Sequence, residues 1–286
     1  MKVRHITEFP GVAETLLLAL GTVTKRPGLV HDLDPLQLVL PRVVVDPDQV
    51  AQYGALCGFN AAHGVPLIYP QLLTFPLVMA FVCSPDCPWS ALGMVHLANH
   101  IEQLQPLRAN DVLRVEMQTG ELIAHNKGQG FTLDFRIWRD DELVWRATQS
   151  LLRLGAQQVG GNSYSGQLIA PMPLSHQAGF VAPADIGRRY GAFSGDRNPI
   201  HLNLVLARLL GFKRALAHGM WTSARALSCV LPFKPLEQAS LDIEFKSPLY
   251  LPGEASLWTG REGRLTCFEV RDPRGERPHV CAQLRT

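Results

Sequence analysis

The chain has 286 residues, 47% of them apolar and 18% charged, which suits about two packed domains and excludes a disordered chain or a disulfide knot. A formal net charge of +2 supplies no basic stripe of the kind that neutralises a phosphate backbone, so nucleic acid is not expected as a partner. The six cysteines (57, 83, 87, 229, 267 and 281) are scattered, a pattern that predicts reduced thiols and a cytoplasmic location.

Near the amino terminus the apolar run LLLAL (16 to 20) follows Glu14, is short and precedes no cleavage-like site, so it reads as part of the mature protein. From Gln49 to Pro85 there is no Asp, Glu, Lys or Arg. That stretch is long enough to test as a membrane span. Pro66, Pro70 and Pro76, with Asn60, His63 and Gln71, interrupt it, and a helix buried in protein over roughly 67 to 83 is predicted, without membrane insertion. Cys83 and Cys87 are followed by His96 and His100 but by no second cysteine pair, and no metal is assigned to them.

Further on, Phe131, Leu133, Phe135 and Ile137 alternate with polar residues, the period of a strand with one buried face, and ELVWRATQSLLR closes this half as another strand. Residues 155 to 180 are predicted to be a linker, because Gly155 to Phe180 carries no charge and is rich in glycine and proline. It separates an amino-terminal domain (1 to 154) from a carboxy-terminal one (181 to 286). The halves resemble each other. YGALCGFN at 53 to 60 matches YGAFSGDR at 190 to 197 in four of eight positions, and IEQLQPL at 101 to 107 matches IEFKSPL at 243 to 249, in the same order. The second half also carries a long apolar helix, roughly 219 to 231, then strands containing Leu241, Ile243 and Phe245 and ending in HVCAQLR. Each half therefore reads as α+β, an antiparallel sheet covered by one apolar helix.

The chemistry is concentrated in YGAFSGDRNPIHLNLVLARLLGFKRALAHGM, 190 to 220. Asp196 and His201 are five residues apart, about 140° around an uninterrupted helix, so a plain helix does not bring them together. Asn198 followed by Pro199 reads as an N-cap with proline at the first helical position, and the preceding turn can aim the carboxylate back at the imidazole. The helix is expected to run through LNLVLARLL and to stop at Gly211. From spacing alone, a turn-capping aspartate and a surface histidine describe the pair better than a catalytic one does.

This segment closely resembles the type 2 enoyl-CoA hydratase signature of the MaoC-like family, YxxxSGDxNPIH with a downstream HGM. The resemblance implies two hot-dog folds, each a curved antiparallel sheet wrapped around a long helix, with the first half a degenerate copy. It further implies reversible hydration of trans-2-enoyl thioesters to (R)-3-hydroxyacyl thioesters, with Asp196 and His201 as the catalytic pair and Asn198 supporting the loop and the substrate. Gly219 would open the central helix and offer its N–H to the thioester oxygen. No metal and no organic cofactor are expected, the acyl group being carried by coenzyme A or an acyl carrier protein. Two hot-dog units would pair within the chain as a pseudo-dimer, with a homodimer as a further option. A hot-dog acyl thioesterase and a non-catalytic acyl-thioester-binding protein are the alternatives.

In ungapped alignment of the motif segment, Phe59 stands at the place of Asp196 and Gly64 at that of His201; beyond a gap, Tyr69 and Pro70 are set at the places of His218 and Gly219. The first half is therefore expected to be catalytically inert, with His63, one position off, a structural histidine. Arg188, Arg189, Lys213 and Arg214 flank the motif as phosphate-binding candidates or simply solvated charges. Ser194 and Ser223 lack a G-x-S-x-G elbow, and no Rossmann fingerprint or P-loop occurs.

Overall fold

In the first half, in chain order, the elements are β1 (Lys2–His5), α1 (Val12–Gly21), β2 (Leu36–Val44), α2 (Pro47–Cys57), α3 (Pro70–Val82), β3 (Met94–Gln103), β4 (Val112–His125), β5 (Gly128–Arg139) and β6 (Glu142–Leu154). The short β7 (Asn162–Ser163) and β8 (Ser175–Ala182) lead into α4 (Ile186–Ser194), α5 (Pro199–Leu202), α6 (Leu204–Leu209) and α7 (Gly219–Val230). The chain closes with β9 (Ala239–Phe245), β10 (Gly253–Glu262), β11 (Leu265–Arg271) and β12 (Pro278–Arg285). This computed structural model describes residues 2–7, 12–25, 29–91, 93–155, 161–164 and 166–286.

Local chemistry sets the element ends. Asp46 caps α2 by accepting from the N–H groups of Asp48 and Gln49, with Pro47 in the first turn, and Gly58 ends the helix at φ 87°. The charge-free stretch from Gln49 to Pro85 thus divides into α2, a 3-10 turn over Ala61–His63, and α3. Among the described residues no helix is long and apolar enough to cross a membrane.

The described strands make one 12-stranded sheet in the order β1-β2-β4-β5-β6-β3-β9-β12-β11-β10-β8, with β7 beside β4. α3 lies over β2 and β4, and α7 over β11 and β12. The expected alternation holds: Phe131, Leu133, Phe135 and Ile137 are buried beneath their helix with Leu77 and Phe81, as Leu241, Ile243, Phe268 and Leu227 are in the second half. Helices of the two halves also join directly, since Trp221 Nε1 donates to Leu56 O at 3.1 Å and Ser228 Oγ to Cys57 O at 3.1 Å. The hot-dog architecture is therefore present twice, in a single continuous sheet.

Two expectations are corrected. The helix through LNLVLARLL breaks at Asn203, whose extended backbone and side-chain bonds to the N–H groups of Val205 and Leu206 start a second helix, α6. The predicted linker 155 to 180 is shorter on its carboxy-terminal side, because Ser175–Ala182 pairs with β10 as β8. Its earlier residues are held too: Tyr164 Oη donates to Glu244 Oε1 at 2.9 Å and Leu168 N to Glu244 Oε2 at 2.6 Å. Residues 156 to 160 lie outside the described residues.

The halves meet where β3 pairs antiparallel with β9, Asn99 opposite Ile243 and Ile101 opposite Leu241. The repeat equates Ile101 with Ile243, so His100 and Asp242 are equivalent positions, and they face each other at the centre of the seam. The His100 ring bonds Asp242 Oδ1 at 2.6 Å and Glu102 Oε1 at 2.9 Å. The Asp242 bond, against partial burial and helped by Glu102, raises the imidazole to about 9. A raised imidazole contributes stability that is complete below its unfolded value of 6.5 and lost as pH rises through about 9. The urea midpoint of His100→Gln is accordingly expected to lie below that of the unsubstituted chain at pH 6.5, with the gap closing by pH 10. Because the side chain is 44% exposed, solvent screening limits the gap to about 1 kcal/mol or less. A gap that is constant with pH would contradict this account.

Candidate functional site

The site is built on the loop after α4. Gly195 turns the chain through φ 80°, in the left-handed region that glycine adopts without steric cost, and so delivers Asp196 back toward the helix it has just left. Ser194 Oγ accepts from Asp196 N at 3.2 Å, and Asn198 N donates to Asp196 Oδ1 at 3.2 Å. Asn198 then accepts from Ile200 N at 3.4 Å and starts α5, a single turn that carries His201. The loop lies tightly on a glycine face of α4. A Cβ on Gly187 would stand 2.0 Å from His201 O, and one on Gly191 2.7 Å from Asp196 O.

His201 Nδ1 lies 3.0 Å from Leu216 O. A carbonyl only accepts, so Nδ1 carries the proton and Nε2 of the neutral ring keeps its lone pair. His218, the N-cap residue of α7, stacks on His201 with ring centroids 3.7 Å apart, while Tyr190 lies 4.9 Å from its ring. His218 Nε2 donates to Asp196 O at 3.0 Å and stands 3.8 Å from Asp196 Oδ2. Donor atoms of Asp196, His201 and His218 all fall within 4.8 Å of one another, close enough for one bound water to touch more than one of them. The same three side chains are a donor set with room for a cation. Two of their nitrogens are already committed to carbonyls, however, and the two rings lie stacked at 25° rather than converging.

Electrostatics sort the roles. Burial opposes ionisation of Asp196, but His218, His201, the Asn198 N–H and His96 outweigh it and hold the carboxyl below its usual range. Burial lowers His201 despite the nearby carboxylate. It lowers His218 further, to about 3, with help from its stacked neighbour. At neutral pH the site therefore holds one carboxylate and two neutral imidazoles.

All of this forms one wall of a cavity of about 930 Å³. Asn198 and Gly219 line it beside Asp196, His201 and His218, so the structure brings the four residues named by the resemblance to a single space. As the first residue of α7, Gly219 has an N–H with no acceptor inside its own helix. It is glycine for a packing reason, since a Cβ there would stand 2.6 Å from the Phe245 ring. The opposite wall comes from the first half: Gln71, Leu72, Phe75 and Val78 of α3 with strand residues such as His96 and Gln149. Arg188, Arg189, Lys213 and Arg214 are exposed and do not line the cavity.

The first half repeats the device without the chemistry. Gly58 matches Gly195, and Asn60 caps the Ala61–His63 turn by accepting from Ala62 N, as Asn198 caps α5. In both halves the histidine is the third residue after that asparagine, so His63, not Gly64, is the counterpart of His201; the ungapped alignment slips by one because the first loop is a residue shorter. Phe59 fills the place of Asp196, stacking on Tyr53 at 5.8 Å and meeting His63 edge-on at 5.8 Å. His63 Nδ1 accepts from Asn60 N at 2.8 Å, and its ring is buried. Neither residue lines the cavity. His218 was not singled out as a site residue in the sequence, although the HGM motif contains it; only the fold shows that it lies against His201.

A MaoC like domain matches residues 168–235. Over 281 residues, covering 98% of this chain and 99% of the relative, the sequence is 30% identical to 3-hydroxyacyl-thioester dehydratase X of Mycobacterium tuberculosis. The chain belongs to the MaoC-like dehydratase family. The crystal structure of HtdX from the same bacterium superposes with a TM-score of 0.74 at 29% identity, covering 87% of this chain and 99% of that one. A MaoC-like dehydratase from Phytophthora capsici shares the fold, with a TM-score of 0.73 at 16% identity over 88% of this chain and 95% of that one. The mouse peroxisomal multifunctional enzyme type 2 is 24% identical over 203 residues, 65% of this chain and 26% of that longer protein.

Because Asp196 and both imidazoles are held below their ordinary values, the combination of one carboxylate and two neutral imidazoles persists on mild acidification. The pH profile of kcat/KM is expected to be level from pH 8 to 6.5, with its acid limb at lower pH. An acid limb centred at 6.5 or above would count against the burial argument.

Proposed function

We propose that the chain catalyses the reversible hydration of trans-2-enoyl thioesters to (R)-3-hydroxyacyl thioesters. The observation that carries this reading is the convergence of a carboxylate, an imidazole with a free Nε2 and the first N–H of α7 on one cavity. In the hydration direction, a water held by the Asp196 carboxylate donates a proton to His201 Nε2 as its oxygen bonds to C3. Electron density moves from the C2–C3 double bond toward the thioester oxygen, where the Gly219 N–H stabilises it. The imidazolium, steadied by Asp196, then returns the same proton to C2. One water is consumed and one C–O and one C–H bond form, so atoms and charge balance. The scheme draws on no metal and no organic cofactor.

The geometry around the dyad supports the residue roles. Asn198 fixes the carboxylate through its N–H, and its side chain starts the turn that carries His201. His218 lies beneath the imidazole and holds the loop through Asp196 O. In this reading the first half contributes binding surface and no proton transfer. The carrier is coenzyme A or an acyl carrier protein, and the free cysteines fit a reducing compartment such as the cytoplasm.

Loss of the enoyl-thioester absorbance on adding the protein to C4 to C16 trans-2-enoyl-CoAs tests the activity. Asp196→Asn and His201→Gln are each expected to lower kcat about 10²- to 10⁴-fold. His63→Gln, which removes a turn-capping ring from the first half, is expected to lower stability while leaving kcat unchanged. Undiminished turnover in either dyad variant, or release of free thiol from saturated acyl-CoA without hydration, would overturn the proposal.

A further inference from the structure

The cavity wall facing the dyad is not uniformly apolar. Among Leu72, Phe75 and Val78 of α3 it presents three uncharged polar side chains in a row: Gln71, Gln149 and His96. Gln71 and Gln149 are only 7% and 8% exposed, and behind them Asn99 and Thr74 are 2% and 0% exposed. Buried amides in an acyl-binding slot are unfavourable unless their hydrogen bonds are met.

A count of those bonds identifies where capacity remains. Asn99 Nδ2 donates to Gln71 Oε1 at 2.9 Å, and Gln71 Nε2 spends its two protons on Thr74 Oγ1 at 3.1 Å and Gln149 Oε1 at 3.5 Å. His96 Nε2 faces the carbonyl of Ala98 at 3.1 Å and so carries the proton, leaving Nδ1 to accept from Gln149 Nε2 at 3.5 Å. Both contacts made by Gln149 are long. One of its two amide protons and one lone pair of its oxygen have no partner in this network, and Asn99 Oδ1 has none either. Burial keeps His96 neutral, well below its ordinary value at about 4, so the row is polar without being charged.

The row also lies close to the reacting end of the slot. Asn99 Nδ2 comes within 3.9 Å of Met220 Sδ, the residue after Gly219. The His96 ring lies 4.7 Å from that of Phe245, which packs over Gly219. An alkyl chain passing here would exclude water and leave the spare Gln149 proton without an acceptor. An oxygen on the acyl chain would accept it, and a hydroxyl would also reach the free lone pair.

We infer that Gln149, set by Gln71 and His96, forms a subsite for a neutral oxygen substituent, a hydroxyl or carbonyl, on the acyl chain a few carbons beyond C3. The inference rests on the reading of the dyad wall as the place where the enoyl thioester reacts. It makes the inert half a determinant of which acyl groups are hydrated.

The test compares trans-2-octenoyl-CoA with its 5-, 6- and 7-hydroxy derivatives as substrates of the full chain. At least one hydroxylated isomer is expected to show kcat/KM about tenfold or more above that of the alkyl substrate. In Gln149→Leu the ratio is expected to fall to about one, and Gln149→Met, closer in shape, serves as a second variant should the first fold poorly. No preference in the unsubstituted chain, a preference that survives both substitutions, or an equal loss for both substrates would overturn the subsite. If neither substrate class is hydrated at all, the catalytic reading falls and the subsite falls with it, a result distinct from hydration without preference.

Discussion

The pairing of β3 with β9 is the constraint on which the rest depends. It joins two half-sheets edge to edge into a continuous floor, over which α2 of one half meets α7 of the other. With it, α3 and the strands β3, β4 and β6 of the first half line one cavity of about 930 Å³ together with the loop around Asp196, α7, β9 and β12 of the second. A single chain can also make its seam unequal. Where two identical protomers would set a residue against its own copy, this chain sets His100 against Asp242 and obtains an ion pair at the centre of the join.

The two halves show how little distinguishes a loop that lines the cavity from one that does not. Both use a left-handed glycine to reverse the chain and an asparagine to start a short turn, and both place a histidine three residues later. The differences are the residue after the glycine and one further residue, Arg197, in the second loop. A phenyl ring at 59 packs against Tyr53 and needs no solvation, whereas the carboxylate at 196 keeps a third of its side-chain surface open to the cavity. A buried carboxylate without partners is expensive, and the backbone N–H of Asn198 and the two imidazoles offset that cost. The stacked histidines are part of the same arrangement: burial keeps both rings neutral, and the presence of His201 further disfavours a charge on His218.

Much of this was legible in the sequence. The alternating Phe131 to Ile137 and Leu241 to Phe245 marked strands because a sheet with one buried face imposes a period of two, and the charge-free run around α3 marked a covered helix. Asp196, Asn198, His201 and Gly219 could be named as site residues only through the resemblance of 190 to 220 to the MaoC-like signature, since the local preferences of a glycine, an asparagine and a proline mark the turn and the cap but not their chemistry. The break at Asn203 was missed, since an asparagine inside an apolar helical pattern reads equally as a tolerated residue or as a second cap. The one-residue slip between Gly64 and His63 was missed because a shortened turn leaves no trace in an ungapped alignment.

By itself, then, the sequence determined the element types, the repeat, the composition of the reactive loop and the family to which that loop points. Only the tertiary structure decided which residues meet. It laid His218 flat on His201, gave Gly219 the Phe245 ring as its reason for lacking a side chain, and brought Gln71, His96 and Gln149 to the wall opposite the dyad. The physical reason is one of range. Helix caps, turns and periodicity are settled by residues a few positions apart, whereas these contacts join positions that come together only after β3 has found β9.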